Sequence, residues 1–266
     1  MIALPSLGWV ARIATAPDAL DRIAASVRVT RWLAARGYSC VRPVDSVEQP
    51  FVARGRVVSI WHLEPTVDAP VPSGADLGRL LRELHAQPVP PFPLSRFIDP
   101  FDDVAAALAQ TPDAMRPAQR AWLLARITDL RLSWPRLPFT NPWGLIHGDA
   151  HPNNEMRTLT GSVVLGDWDH TAIGPREWDL AQVHYTRRRF QRPEAAALDD
   201  QAASYGWDIR EWEGLDTVIA AREITGLSPY IRTAPVREFS HAELGRRLDI
   251  LHDGDTVTKW TSPTRN

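Results

Sequence analysis

Asp149 and Asn154 stand five residues apart in the stretch LIHGDAHPNNEMRTLTGSVVLGDWDHTAIGPREWDLA, which runs from 145 to 181. Phosphoryl-transfer enzymes use this D-x-x-x-x-N spacing for a catalytic base and a divalent-metal ligand. Two apolar-rich runs follow, 156–159 and 162–165, separated by Thr160 and Gly161. Glycine there supplies the positive φ of a tight hairpin turn. A two-residue turn sets Asn154 opposite Asp167, and a bulge would slip the pairing by one residue while keeping the two as neighbours. One strand pair then holds a neutral oxygen donor beside a carboxylate, with Asp149 at its entrance. Such a donor set suits a hard divalent cation that keeps several waters and holds phosphate oxygens.

The stretch resembles the catalytic core of the aminoglycoside phosphotransferase and choline kinase-like family, which shares the protein-kinase-like fold. The pattern H-G-D-x-x-x-x-N appears as His147, Gly148, Asp149 and Asn154. The metal-binding D-[FW]-[DE] element appears as Asp167, Trp168 and Asp169, and the tail G-x-P-x-x-D-L-A reads GPREWDLA from Gly174 to Ala181, departing only in detail. The resemblance covers the C-terminal part well and the N-terminal part poorly. It implies transfer of a phosphoryl group from ATP, or GTP, with Mg²⁺, to a hydroxyl of a small molecule such as an aminoglycoside, a sugar or an amino alcohol.

In that scheme Asp149 takes or orients the proton of the acceptor hydroxyl. Asn154 and Asp167 hold the metal. Asp169 reads either as a further metal ligand or as an exposed loop carboxylate. His147 is expected to hold the loop by hydrogen bonds, Asp179 to tie the loop down from the next helix, and Trp168 and Trp178 to pack. Kinases of this type also carry a Lys or Arg on a strand against the α- and β-phosphates, paired with a helix Glu. Lys259 is the only lysine, so Arg12 in VARIA takes that role, and Ser26 stands where the Glu is expected. The base of the nucleotide is expected at the backbone of Trp61, His62 and Leu63.

Composition narrows the alternatives. A net charge of −2 and a pI of ≈ 6.4 argue against nucleic acid as a partner. Cys40 is the only cysteine, which excludes an intrachain disulfide and a cysteine zinc site. The first residues lack the basic-then-apolar layout of a signal peptide, and no apolar run approaches the roughly 20 residues that span a bilayer. A cytoplasmic protein without membrane partners is expected. Two other readings stay open on residues alone: a nucleotide-binding pseudokinase, and a metal-dependent hydrolase built on Asp149, His151, Asp167 and Asp169.

Periodicity supplies the elements that must position these groups. Strands are expected at 10–14, 40–44 and 57–61, and a helix at 17–36. A Pro-rich connection follows at 62–72. Helix 73–85 opens on Ser73 and carries Leu77, Leu80, Leu81 and Leu84 on one face. Further helices are expected at 100–110, 116–133, 176–190, 193–205, 209–225 and 240–252, with a frayed tail from Asp253. The expected architecture is α+β: a two-lobed, protein-kinase-like fold. Residues 1–64 form a small nucleotide-binding lobe in which no Gly-rich phosphate loop reads, and 65–266 form a mostly helical lobe with the catalytic loop and the acceptor pocket. From Glu194 onward there are 13 acidic against 8 basic residues, which would suit a cationic acceptor or simply a solvated face, whereas Arg187–Arg189 would suit an anionic one.

Overall fold

The computed structural model describes residues 1–14, 19–67, 70–140 and 142–262. The expected helix start at Pro17 and Asp18, residues 68–69 of the connection and the last four residues of the tail lie outside the described residues.

Strands β1 (Ile2–Leu4) and β2 (Trp9–Ala14) form a hairpin, and helix α1 (Ala19–Ala35) follows. β3 (Phe51–Ala53) and β4 (Arg56–His62) complete an antiparallel sheet of order β1-β2-β4-β3. The register pairs Val10 with Trp61 and Arg12 with Ser59, so Arg12 sits mid-sheet. Residues 40–44 do not form the expected strand. They make isolated bridges, Cys40 to Leu165 and Pro43 to Trp61, because this short run is shared between the sheet and the hairpin that follows.

Helix α2 (Gly74–His85) carries the expected capping box. Ser73 Oγ accepts from the Asp76 amide at 3.2 Å, and Asp76 Oδ2 accepts from the Ser73 amide at 2.9 Å. Leu77, Leu80, Leu81 and Leu84 are all fully buried, each contributing roughly 2 kcal/mol of transfer free energy. They join the main core with α3 (Asp102–Gln110), α4 (Pro117–Ser133) and the elements around the catalytic loop.

Two small two-stranded sheets frame that loop. β5 (Gly144–Ile146) pairs with β8 (Ala172–Gly174), and between them β6 (Glu155–Arg157) pairs with β7 (Val163–Leu165). The β6–β7 register is slipped by one from a two-residue turn: Glu155 faces Leu165, and Gly166 donates to the Asn154 carbonyl at 2.8 Å. The loop is three residues long because Gly161, at φ 86°, occupies its last position, the bulged form of hairpin.

The remaining chain is helical: α5 (Arg176–Phe190), α6 (Ala195–Tyr205), α7 (Leu215–Thr225), α8 (Ser228–Thr233) and α9 (Glu238–His252). The helix expected over 209–225 is broken. A 3₁₀ turn at Ile209–Glu211 ends where Trp212 folds away and donates to the Pro138 carbonyl at 3.1 Å. The tail is docked rather than frayed as far as it is described. Trp260 is buried, its amide donates to Arg189 O at 2.6 Å, and the guanidinium of Arg247 lies 4.4 Å from its ring centre.

Candidate active site

The catalytic loop, 147–154, hangs between β5 and β6, and buried polar groups hold it from beneath. His147 is fully buried; its Nε2 bonds to the Gly166 carbonyl at 2.8 Å, and its Nδ1 accepts from the Asp149 amide at 3.3 Å. Burial lowers its pKa, so the ring is neutral and cross-braces the loop. Asp179, one turn into α5, accepts from the amides of His147 and Gly148, both at 2.8 Å. His85 of α2 reaches the same carboxylate through Nε2 at 3.2 Å and meets Tyr205 Oη through Nδ1 at 2.9 Å. Burial by itself would raise the Asp179 pKa, but His85 and these amides hold it below the usual carboxylate range. Gly148 adopts φ 87°, and a Cβ there would run into the backbone carbonyl of His170.

Asp149 is thereby presented at the lip of the loop. Its Oδ1 accepts from Gln182 Nε2 at 2.9 Å, and its Oδ2 lies 3.5 Å from His151 Nε2. Burial pushes its pKa up, but His151, Arg222 and His170 outweigh that and hold it well below the ordinary range. Arg222, from α7, is buried; it donates to the carbonyls of Trp178 and Gly148 and stacks 3.9 Å from the centre of the Trp178 ring.

Asn154 and Asp167 lie at adjoining strand ends, as the one-residue slip allows. Asn154 Nδ2 donates to the Asp149 carbonyl at 2.9 Å, which turns its amide oxygen the other way. Asp167 takes a left-handed conformation, φ 57°, uncommon for a residue other than glycine, and leaves its carboxylate half exposed. Trp168 is buried beneath it, its ring edge against His147 at 4.6 Å. Asp169 is nearly buried, which decides against an exposed loop carboxylate.

Arg12 spans the two carboxylates. Its guanidinium donates to Asp167 Oδ1 at 2.8 Å and to both oxygens of Asp169 at 2.7 and 2.8 Å. Arg22 of α1 approaches Asp169 at 3.8 Å. Ser26, where a helix carboxylate was expected, is buried and its hydroxyl has no partner. Arg12 therefore takes its counter-charge from the loop after β7 rather than from α1.

A cleft of ≈ 620 Å³ runs between the sheet and this loop. Val10, Val41, Trp61 and Met156 are among its apolar walls, with Arg12, Asn154 and Asp167 at its polar end; His62, Leu63 and Glu64 form its rim. The structure thus brings all the expected nucleotide and metal residues except Asp169 to one cavity wall, with Asp169 tied to it through Arg12. The amides of His62 and Leu63 are already used, donating to Arg42 O and Gly8 O at 2.8 Å each, so a base would have to use other groups of this rim. Among the described residues no three His, Cys, Asp or Glu side chains cluster as a metal site. The candidate donors are two carboxylates and an amide oxygen, a set that fits a hard cation retaining waters, and the bound guanidinium shows that the spot accommodates positive charge. Gln182 and Arg222 were missed from sequence. Gln182 was findable, three residues after Asp179 on the same helical face; a lone Arg in the apolar run of α7 carries no such signal.

A sequence model of the phosphotransferase enzyme family matches residues 5–216. The chain belongs to that family. It is accordingly a small-molecule phosphotransferase with the protein-kinase-like fold. No curated protein matches its sequence. Among solved structures it is similar to an amicoumacin kinase in complex with AMP-PNP, Ca²⁺ and its ligand, at 14% identity over 95% of this chain and 84% of that one, with TM-score 0.70. It is also similar to a choline/ethanolamine kinase family protein from Mesorhizobium loti, at 17% identity, 92% and 82% coverage and TM-score 0.63. The aminoglycoside phosphotransferase APH(3'')-Id from Streptomyces rimosus, with ADP and streptomycin, gives 18% identity, 82% and 87% coverage and TM-score 0.59. No described helix is long and apolar enough to cross a membrane.

Proposed function

We propose that this phosphotransferase moves the γ-phosphoryl group of ATP, or GTP, with Mg²⁺, onto a hydroxyl of a small molecule. The observation that carries the reading is the convergence of Asn154, Asp167 and Arg12 at the polar end of one cleft, with Asp149 next to it on the loop whose backbone carbonyl Asn154 holds. In this reading residues 1–64 contribute the nucleotide lobe and 65–266 the catalytic loop and acceptor pocket. The solved relatives hold AMP-PNP with Ca²⁺, and ADP with streptomycin, which supports a nucleotide, a divalent ion and a hydroxyl-bearing acceptor here.

Asn154, Asp167 and Asp169 would hold the ion, which neutralises phosphate charge when bound. Arg12 is the group that must change partner. In the present geometry its charge is spent on Asp167 and Asp169; were those carboxylates to hold the ion, its guanidinium would be free to face the α- and β-phosphates. Trp61, His62 and Leu63 line the place for the base.

Asp149 does the remaining chemistry. Its depressed pKa keeps it anionic, so it is a weak base that first orients the acceptor hydroxyl and takes the proton late, as the oxygen–phosphorus bond forms and the bond to the β-phosphate oxygen breaks. Asp149→Ala is expected to fold as the wild type does and to lose turnover by about 10²-fold or more. The measurement is phosphate transfer from ATP across a panel of hydroxyl acceptors, aminoglycosides first. A folded Asp149→Ala protein with wild-type turnover would sink the assignment. A thermal-shift titration with ATP and GTP, with and without Mg²⁺, reads the nucleotide independently of any acceptor.

A further inference from the structure

Helix α5 presents two side chains to three consecutive residues of the catalytic loop. Asp179 takes the amides of His147 and Gly148, and Gln182, three residues further on the same face, takes the side chain of Asp149. The Asp149 carboxylate has two oxygens in different surroundings. Oδ1 is held by the Gln182 amide at 2.9 Å, whereas among the described residues Oδ2 has only His151 at 3.5 Å, the outer limit of a hydrogen bond. Arg222 acts on Asp149 through charge rather than contact, since its donors go to carbonyl oxygens.

Gln182 is itself poorly satisfied. It is 5% exposed, and its amide oxygen is buried without a partner. An unpaired buried acceptor lowers stability, and an apolar side chain of like volume at this position would avoid the loss. The amide cannot relieve itself by flipping, because that would set its oxygen against the Asp149 carboxylate.

We propose that Gln182 is a positioning residue: it pins Oδ1 of Asp149 so that Oδ2 is the oxygen offered to the acceptor. The inference rests on Asp149 being the base. It gives a reason for a glutamine to stand where the helix core would favour methionine or leucine. An unpinned carboxylate turns about its Cβ–Cγ bond, and misplacement of a reacting group on the scale of 1 Å costs on the order of 10²-fold in rate.

The test is Gln182→Met, which keeps the volume and removes the donor. ATP hydrolysis with Mg²⁺, water serving as acceptor, should lose about 10- to 100-fold in kcat with KM for ATP unchanged, while the thermal midpoint stays level or rises. A purely structural glutamine would instead lower the midpoint, and that result, or an unchanged kcat, overturns the proposal. A nucleotide-free measurement stands beside it. The side-chain amide resonances of Gln182, assigned by their loss in Gln182→Met, should move in Asp149→Asn, and unmoved resonances overturn the contact. Wild-type-like Gln182→Met beside an inactive Asp149→Asn sinks this inference alone; a fully active Asp149→Asn removes the base assignment and the inference with it.

Discussion

Glu155 opens strand β6 with 6% of its surface exposed and neither carboxylate oxygen hydrogen-bonded. Burial, and then the neighbouring charge of Asp76, push its pKa from 4.5 up to about 8, against the opposing pull of Arg157 and Arg79. The folded protein therefore binds a proton there more tightly than the unfolded chain. Stability is fully present below the unfolded value near 4.5 and declines as pH rises to about 8, above which it is flat. Raising the pKa from 4.5 to about 8 corresponds, at 1.36 kcal/mol per pH unit, to at most about 5 kcal/mol. Glu155→Gln removes the titration while keeping the shape, and any mismatch of its amide is a pH-independent offset. Denaturant unfolding of both proteins at pH 5, 7 and 9 is the assay. The variant should gain on the wild type steadily with pH, ending more stable at pH 9 by a few kcal/mol. Parallel stability profiles from pH 5 to 9 would refute the picture of a protonated, unpartnered Glu155.

His184 should act in the opposite direction. Burial, aided by Arg210, lowers its pKa from 6.5 to about 4, so stability is lost as pH falls through that window, by at most about 3.4 kcal/mol. Thermal melts at pH 7 and pH 4.5 should show His184→Gln less acid-sensitive than the wild type, and equal sensitivity would count against the shift. Gly148→Ala should destabilise by about 2 kcal/mol or more and abolish turnover, since φ is 87° and a Cβ would strike the His170 carbonyl. Urea unfolding with a parallel activity assay checks this, and a stable, active variant would refute it.

Much of the frame was legible because local rules govern it. The four leucines of α2 follow helical spacing and are all buried, and the Ser73 box is a four-residue pattern. The expectations for His147 and Asp179 also stand in the geometry, since a buried loop needs its amides paired. Of the two hairpin registers that Thr160 and Gly161 admit, the structure takes the one slipped by a residue, and that choice depends on Gly161 taking the bulged position. The break before α7 depends on Trp212 reaching Pro138, and the docked tail on Trp260 finding Arg189 and Arg247, contacts distant in sequence.

The sequence by itself determined the chemical inventory: an Asp and an Asn at fixed spacing, a following Asp-Trp-Asp, and an Arg on an N-terminal strand. Tertiary structure alone decided how those charges are shared. Arg12 finds Asp167 and Asp169 more than 150 residues away, because α1 offers Ser26 in place of a carboxylate. Gln182 and Arg222 reach the catalytic loop from helices that pack beneath it: Gln182 donates to Asp149 Oδ1, and the charge of Arg222 adds to His151 in holding the Asp149 pKa down. Spacing along the chain fixes which groups can meet locally, whereas hydrogen bonds and fields between distant elements exist only once the core has brought their backbones together.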